Sequence, residues 1–212
     1  MADGYARASG RLSAANVHVA PGLGHALGAL YNAKFSGSPI LLTAGQQEQG
    51  HGLQEPLLYE PLVPMAAPLV KWSTEVTRVQ DLPRVIRRAA KVALTPPRGP
   101  VFISLPGDVL NQEAELDLGH SSRVEQRVRP SDEALVDLAQ GLLQARQPVL
   151  IVGQEVGAQE AFGLVAELAE LLGAAVYQET VPYRTAFPSD HGLYMGMLTR
   201  VQAQVLAALQ PH

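Results

Sequence analysis

Residues 16–47, NVHVAPGLGHALGALYNAKFSGSPILLTAGQQ, restrict the fold more than any other part of the chain. Residues 40–45, ILLTAG, form an unbroken apolar run, the pattern of a strand covered on both faces. Upstream, LSAANVHVA (residues 12–20) is rich in apolar and β-branched positions and predicts a second strand. Between them Ala20-Pro21-Gly22-Leu23-Gly24 reads as a turn, and residues 26–35 carry helical spacing with Gly28 as the one breaker. Two such strands joined through a helix are parallel and cross over right-handedly, so the chain reads as α/β. In open parallel sheets ligands bind beyond the carboxyl ends of the strands. Residues 18–24 and 45–47 fall there. An imidazole (His18), a glycine turn, a helix N-terminus and the amides of Gln46 and Gln47 are predicted to meet on one rim.

The remaining segments repeat the alternation. Ala2, Tyr5, Ala6 and Ala8 space out an amphipathic helix that ends at Ser9-Gly10, where glycine is a natural stop. Pro56, Pro61, Pro64 and Pro68 forbid a long helix after residue 47 and predict short helical turns wrapping over the rim. A short strand is expected over 67–73. Asp81-Leu82-Pro83 then signals a helix start, followed by apolar Val85, Ile86, Ala89, Ala90 and Ala93, and residues 101–105 read as a buried strand. Residues 107–129 are polar and weakly periodic, as in a linker. After them come a helix capped by Pro130-Ser131-Asp132, a strand over 148–152, a helix over 158–172, a strand over 174–177 and a helix over 199–209. The expected architecture is two parallel-sheet, three-layer units, 1–106 and 130–212, the second Rossmann-like, joined by the 107–129 linker. The opening helix has no lead-in strand and the closing helix has none to feed, so the chain is expected to begin and end inside domains.

Composition excludes several classes. A net charge of −4 with no large basic cluster argues against nucleic acid. No apolar run approaches the roughly 20 residues of a membrane-spanning helix, and residues 1–11 lack the apolar core of a signal peptide. The absence of cysteine rules out disulfides and thiolate metal sites and fits a cytoplasmic protein.

Ala2-Asp3-Gly4-Tyr5-Ala6-Arg7, Asn16-Val17-His18 ahead of Pro21-Gly22, Leu42-Thr43-Ala44-Gly45-Gln46-Gln47, Pro68-Leu69-Val70-Lys71-Trp72-Ser73 and Gly99-Pro100-Val101 with Ser104-Leu105-Pro106 form a set. With these motifs, essentially the whole chain resembles the thiamine-diphosphate-dependent 2-oxo-acid decarboxylase and acetolactate synthase superfamily, its benzoylformate decarboxylase branch above all. The resemblance implies an enzyme of three domains, of which this chain would hold part of the pyrimidine-binding domain and part of the middle domain. The glutamate that activates the cofactor, and the domain whose Gly-Asp-Gly…Asn motif holds Mg2+ and diphosphate, would lie outside it, leaving the fragment inactive by itself. Gly107-Asp108-Val109 is not that motif.

The resemblance also assigns residues. His18 matches a histidine that positions the substrate carboxylate and transfers protons, which suits a group titrating near neutrality. Pro21 and Gly22 match the stretch lying against the pyrimidine and substrate, and His25 and Gln46 are further candidates for the cofactor. The family usually has Asn at the place of His25, and acetolactate synthases usually have a small hydroxyl residue at the place of His18. The implied partners are a small 2-oxo acid and further copies of the chain, as a homodimer or homotetramer through the pyrimidine-binding domain. An acetolactate-synthase-like carboligase and a catalytically silent assembly module are the competing readings. Taken without the resemblance, His18 reads as a strand-end histidine, His51 as an exposed loop residue rather than a second acid–base group, and Gln46 equally as a cofactor or substrate contact or a structural amide. His25, near a helix start, would have its imidazolium disfavoured by the helix dipole, which leaves it a neutral hydrogen-bonding role or plain helix surface. Gly153-Gln154-Glu155-Val156-Gly157 occupies the place of a nucleotide-binding turn without the full glycine spacing, and Met195-Gly196-Met197 reads as packing.

Overall fold

The computed structural model describes residues 1–122 and 128–212, which group into two units, Met1–Arg127 and Val128–His212. In the first unit the elements run α1 (Ala2–Ser9), β1 (Ser13–His18), α2 (Val19–Phe35), β2 (Ile40–Gln46), α3 (Leu62–Ala66), β3 (Ser73–Glu75), α4 (Leu82–Leu94), β4 (Val101–Pro106) and α5 (Gly107–Leu110). The strands pair in the order β1-β2-β4-β3, all parallel, as the apolar runs require.

Alternation along the strands divides the core into two layers. Leu42, Ala44 and Phe102 turn to one face, where Ala20, Leu23 and Leu30 of α2 and Leu62 and Ala66 of α3 cover them. Leu41, Val101 and Ile103 turn to the other, under Ala89 and Ala93 of α4 and Val109 of α5. This is the three-layer arrangement expected. Gly10 closes α1 in the left-handed region at φ 67°.

Two motifs quoted above are structural. In the first, Asp3 accepts hydrogen bonds from Ser38 Oγ at 2.5 Å and Ser36 Oγ at 3.2 Å, tying α1 to the turn between α2 and β2. In the second, Lys71 Nζ donates to the Val92 and Thr95 carbonyls, both at 2.6 Å, closing the C-terminal end of α4. Burial lowers the Lys71 pKa below its ordinary value.

Three expectations need correction. There is no turn at residues 20–24: α2 starts at Val19, directly after the strand. Pro21 sits in the first helical turn, where the amide proton it lacks has no intrahelical partner to lose. The strand expected over 67–73 begins at Ser73 instead, because Pro68 falls in a 3-10 turn over Ala67–Leu69. Part of the expected linker belongs to the first unit, since α5 buries Val109; residues 123–127 of that linker lie outside the described residues. The short turns after residue 47 are present, at Gly52–Gln54, Leu62–Ala66 and Ala67–Leu69.

The second unit contains α6 (Asp132–Gln144), β5 (Val149–Val152), α7 (Gln154–Ala158), α8 (Phe162–Leu172), β6 (Ala175–Gln178), β7 (Tyr194–Met197) and α9 (Gln202–Leu209). Ser131 caps α6, its Oγ accepting from the Ala134 N–H. The sheet order is β5-β6-β7, again parallel. Val152 and Val176 pack with Ala169 of α8 and Phe187 on one face, while the Tyr177 hydroxyl donates to the Ala208 carbonyl of α9 from the other. Met195-Gly196-Met197 is strand β7 at the sheet edge, with both methionine side chains exposed, so it is not core packing of this unit.

Candidate active-site rim

Register places the predicted residues. His18 pairs with Gly45 on β2, Gly45 pairs with Leu105 on β4, and Ser104 pairs with Glu75 on β3. His18 therefore stands one strand spacing, about 4.8 Å, from the Gly45 backbone, and the ends of all four strands form one rim. The imidazole is exposed rather than in the core, and His18 is also the N-cap of α2, with no capping bond from its side chain. The N–H groups of the first turn of α2, beside the imidazole, form the positive end of a 17-residue helix.

Gly22 earns its place by packing. A Cβ there would lie 3.3 Å from the Val17 Cβ and 3.7 Å from the His18 Cβ, so the first turn of α2 rests directly on the end of β1. Gly24 and Gly28 face open space. His25 lies exposed on α2, seven residues along from His18. That is about 10 Å at 1.5 Å per residue, beyond the first turn over which the helix dipole acts. His25 therefore lies outside the reach of the helix dipole, because α2 starts at Val19 rather than after the glycines.

The amides after β2 hold the following loop. Gln46, buried, donates from Nε2 to the Glu60 carbonyl and accepts at Oε1 from the Gln47 N–H, and Gln47 Nε2 donates to the Leu57 carbonyl. Gln49 donates from its backbone and side chain to the Asp108 carboxylate, at 3.2 and 2.8 Å. The Gln49 side-chain bond leads the causes that hold the Asp108 carboxyl below its ordinary pKa. Sequence reading missed this role for Asp108, since 59 residues separate the pair and no local pattern announces it. Beyond the loop an open cleft of about 550 Å³ runs from Gln46 to Glu75, lined by Tyr59 and Leu62 among others. The Glu75 carboxylate there accepts from the Ser104 hydroxyl at 2.8 Å. His18 stands outside that cleft, on the edge strand. His51 is an exposed loop residue.

In the second unit, the Gly153 turn is occupied by the chain itself. Glu179 Oε1 accepts from the Gln154 N–H at 2.7 Å, and a Cβ at Gly153 would meet that carboxylate at 3.2 Å. Among the described residues no cluster of three His, Asp or Glu side chains could hold a metal ion, and no helix is long and apolar enough to cross a membrane.

Comparison with known proteins addresses the family. Family models for the thiamine pyrophosphate enzyme N-terminal TPP binding domain and central domain match residues 1–58 and 135–211. A benzoylformate decarboxylase of Pseudomonas aeruginosa is 38% identical across 100% of this chain and 41% of its own length. An acetolactate synthase of Mycobacterium bovis is 29% identical over 92% of the chain and 32% of its own length. Among solved structures, a thiamine diphosphate-dependent 4-hydroxybenzoylformate decarboxylase of Rhodococcus jostii superposes with a TM-score of 0.91 at 37% identity, covering 98% of this chain and 40% of that one. A benzoylformate decarboxylase of Polynucleobacter necessarius gives 0.91 at 35%, covering 100% of this chain and 40% of that one. The chain thus spans about two fifths of the length of the decarboxylases it matches. With a strand-end rim, two parallel α/β units and both family domains in the expected order, the chain belongs to the thiamine pyrophosphate enzyme family.

Proposed function

We propose that this chain is the pyrimidine-facing and central part of an enzyme that releases CO2 from an aromatic 2-oxo acid such as benzoylformate. The observation that carries the reading is the exposed His18 imidazole at the carboxyl end of β1, beside the N-terminus of α2. The benzoylformate decarboxylase relatives supply the substrate class. Thiamine diphosphate, when bound, provides the carbon nucleophile and electron sink that a 2-oxo acid needs to lose CO2.

The residues of this chain have narrower tasks. His18 and the first-turn N–H groups of α2 orient the substrate carboxylate: a helix N-terminus favours an anion, and an imidazole N–H donates to it. After CO2 departs, a ring nitrogen of His18 delivers a proton to the carbon left behind, the general-acid role an imidazole most often takes. Pro21 and Gly22 keep the approach to the rim low, and His25 extends it along α2. Gln46, with its amide engaged to backbone at both ends, acts by fixing the rim from beneath. Among the described residues no group of three His, Asp or Glu side chains could hold a metal ion, and the metal and the diphosphate are assigned to polypeptide beyond these 212 residues. Assembly as a homodimer or homotetramer through the first unit completes the proposal.

The test is CO2 release by the full-length enzyme loaded with thiamine diphosphate and Mg2+, offered benzoylformate and pyruvate in turn. The expected result is a kcat/KM at least about tenfold higher for benzoylformate, the scale at which a pocket separates an aromatic from a methyl side chain. Acetolactate formed from pyruvate as the main activity would overturn the proposal in favour of a carboligase.

A further inference from the structure

We propose that Val19 is a positioning residue for His18: a strained, loopless elbow at Val19 fixes the direction in which the imidazole leaves the rim. The inference rests on the role given to His18 above. His18 has extended backbone angles, φ −102° and ψ 115°, and ends β1, while Val19, at φ 41°, is already the first residue of α2. The chain passes from strand to helix within a single residue. That residue is β-branched, the type for which a positive φ is least tolerated. Among the described residues three other non-glycine positions have positive φ: Glu55, Leu58 and Glu160. None of them is β-branched and none joins a strand to a helix.

Strain of this kind persists only where the surroundings over-determine it, and such sites cluster where a side chain must be aimed. The surroundings of Val19 do so from both sides. Val19 is itself buried, and Ala20 and Leu23 are anchored in the core over the sheet. The missing side chain of Gly22 lets the first helical turn settle onto Val17, and Pro21 stiffens that turn. His18 makes no capping bond through its ring, so the backbone is what directs the imidazole. The same logic operates where a sharp strand-to-helix elbow lifts a nucleophile clear of a sheet. A β-branched residue held in the left-handed region has a narrow well, whereas glycine in the same place has a wide one. Strain and aim thus come from one residue.

The test uses the full-length, cofactor-loaded enzyme with Val19→Gly and Val19→Ala, each made with and without His18→Ala. With His18 present, Val19→Gly is expected to lower kcat about tenfold or more, with any rise in KM no larger than that of His18→Ala, and Val19→Ala to lower kcat less. In the His18→Ala background neither change lowers kcat further, because the group being aimed is gone. Val19→Gly is also expected to broaden or shift the His18 ring signals in histidine-labelled NMR spectra without moving those of His25. Should glycine fail to fold, Val19→Ala carries the same comparison. Equal losses with and without His18, or unchanged kcat and ring signals in Val19→Gly, overturn the elbow while leaving the role of His18 standing. If His18→Ala alone leaves turnover intact, the functional reading itself has failed.

Discussion

If the proposed role of His18 holds, His18→Ala in the full-length enzyme is expected to lower kcat for benzoylformate by about 10²- to 10⁴-fold, the contribution of a positioned acid–base group. The loss should be catalytic rather than structural. His18 is exposed and makes no capping bond, so its truncation removes no buried contact and leaves stability within about 0.5 kcal/mol. Loss of carboxylate orientation would raise KM as well, while loss of proton delivery alone would lower kcat at unchanged KM, and the split between them apportions the two tasks. His25→Ala, two helical turns along, should cost far less. Steady-state kinetics on both variants, with melting curves as the check on folding, make the comparison. Equal effects at the two positions would remove His18 from its special place.

Phe102→Ala should be the most damaging substitution to the fold. Phe102, the second residue of β4, is fully buried and clusters with Leu42 and Ala44 of β2, Leu23 of α2 and Leu62 of α3. Truncating such a ring costs about 3–5 kcal/mol through lost transfer energy and the cavity left behind. For a unit of this size that lowers the melting temperature by roughly 10–20 °C. Because α2 is seated on this cluster, the rim should loosen along with the core. Leu53→Ala supplies the contrast: Leu53 is 95% exposed, and its removal should change stability by less than about 0.5 kcal/mol. Denaturant unfolding of the two variants decides it, and similar losses would mean that the core does not depend on β4 in this way.

The apolar runs announced the strands because parallel strands are buried on both faces, and 40–45 and 101–105 lie within a residue of β2 and β4. The helix starting signal at Leu82-Pro83 was legible for the reason it works, a proline in a first turn. The same chemistry misled at Pro21-Gly22. Proline and glycine there suggested a turn, yet proline is tolerated in a first helical turn and the glycine answers to a close approach to Val17 that only the folded chain reveals. Strand β7 was missed because Tyr194 to Met197 is short and carries Gly196 at φ 102°. His18 could be placed on the rim from its position at a strand's end. Its elbow could not, since nothing in a valine's neighbours announces a positive φ. The clasp between Gln49 and Asp108 joins distant segments and becomes visible only once β2 and β4 pair.

The central claim is that the His18 ring faces bound substrate and cofactor. The most direct measurement follows the histidine ring signals of the full-length, cofactor-loaded enzyme by NMR as a non-reactive benzoylformate analogue is added. The expected result is that the His18 signals move in proportion to occupancy while those of His25 and His51 move less. Saturation of the enzyme with analogue, as judged by inhibition, with His18 unmoved would contradict the account.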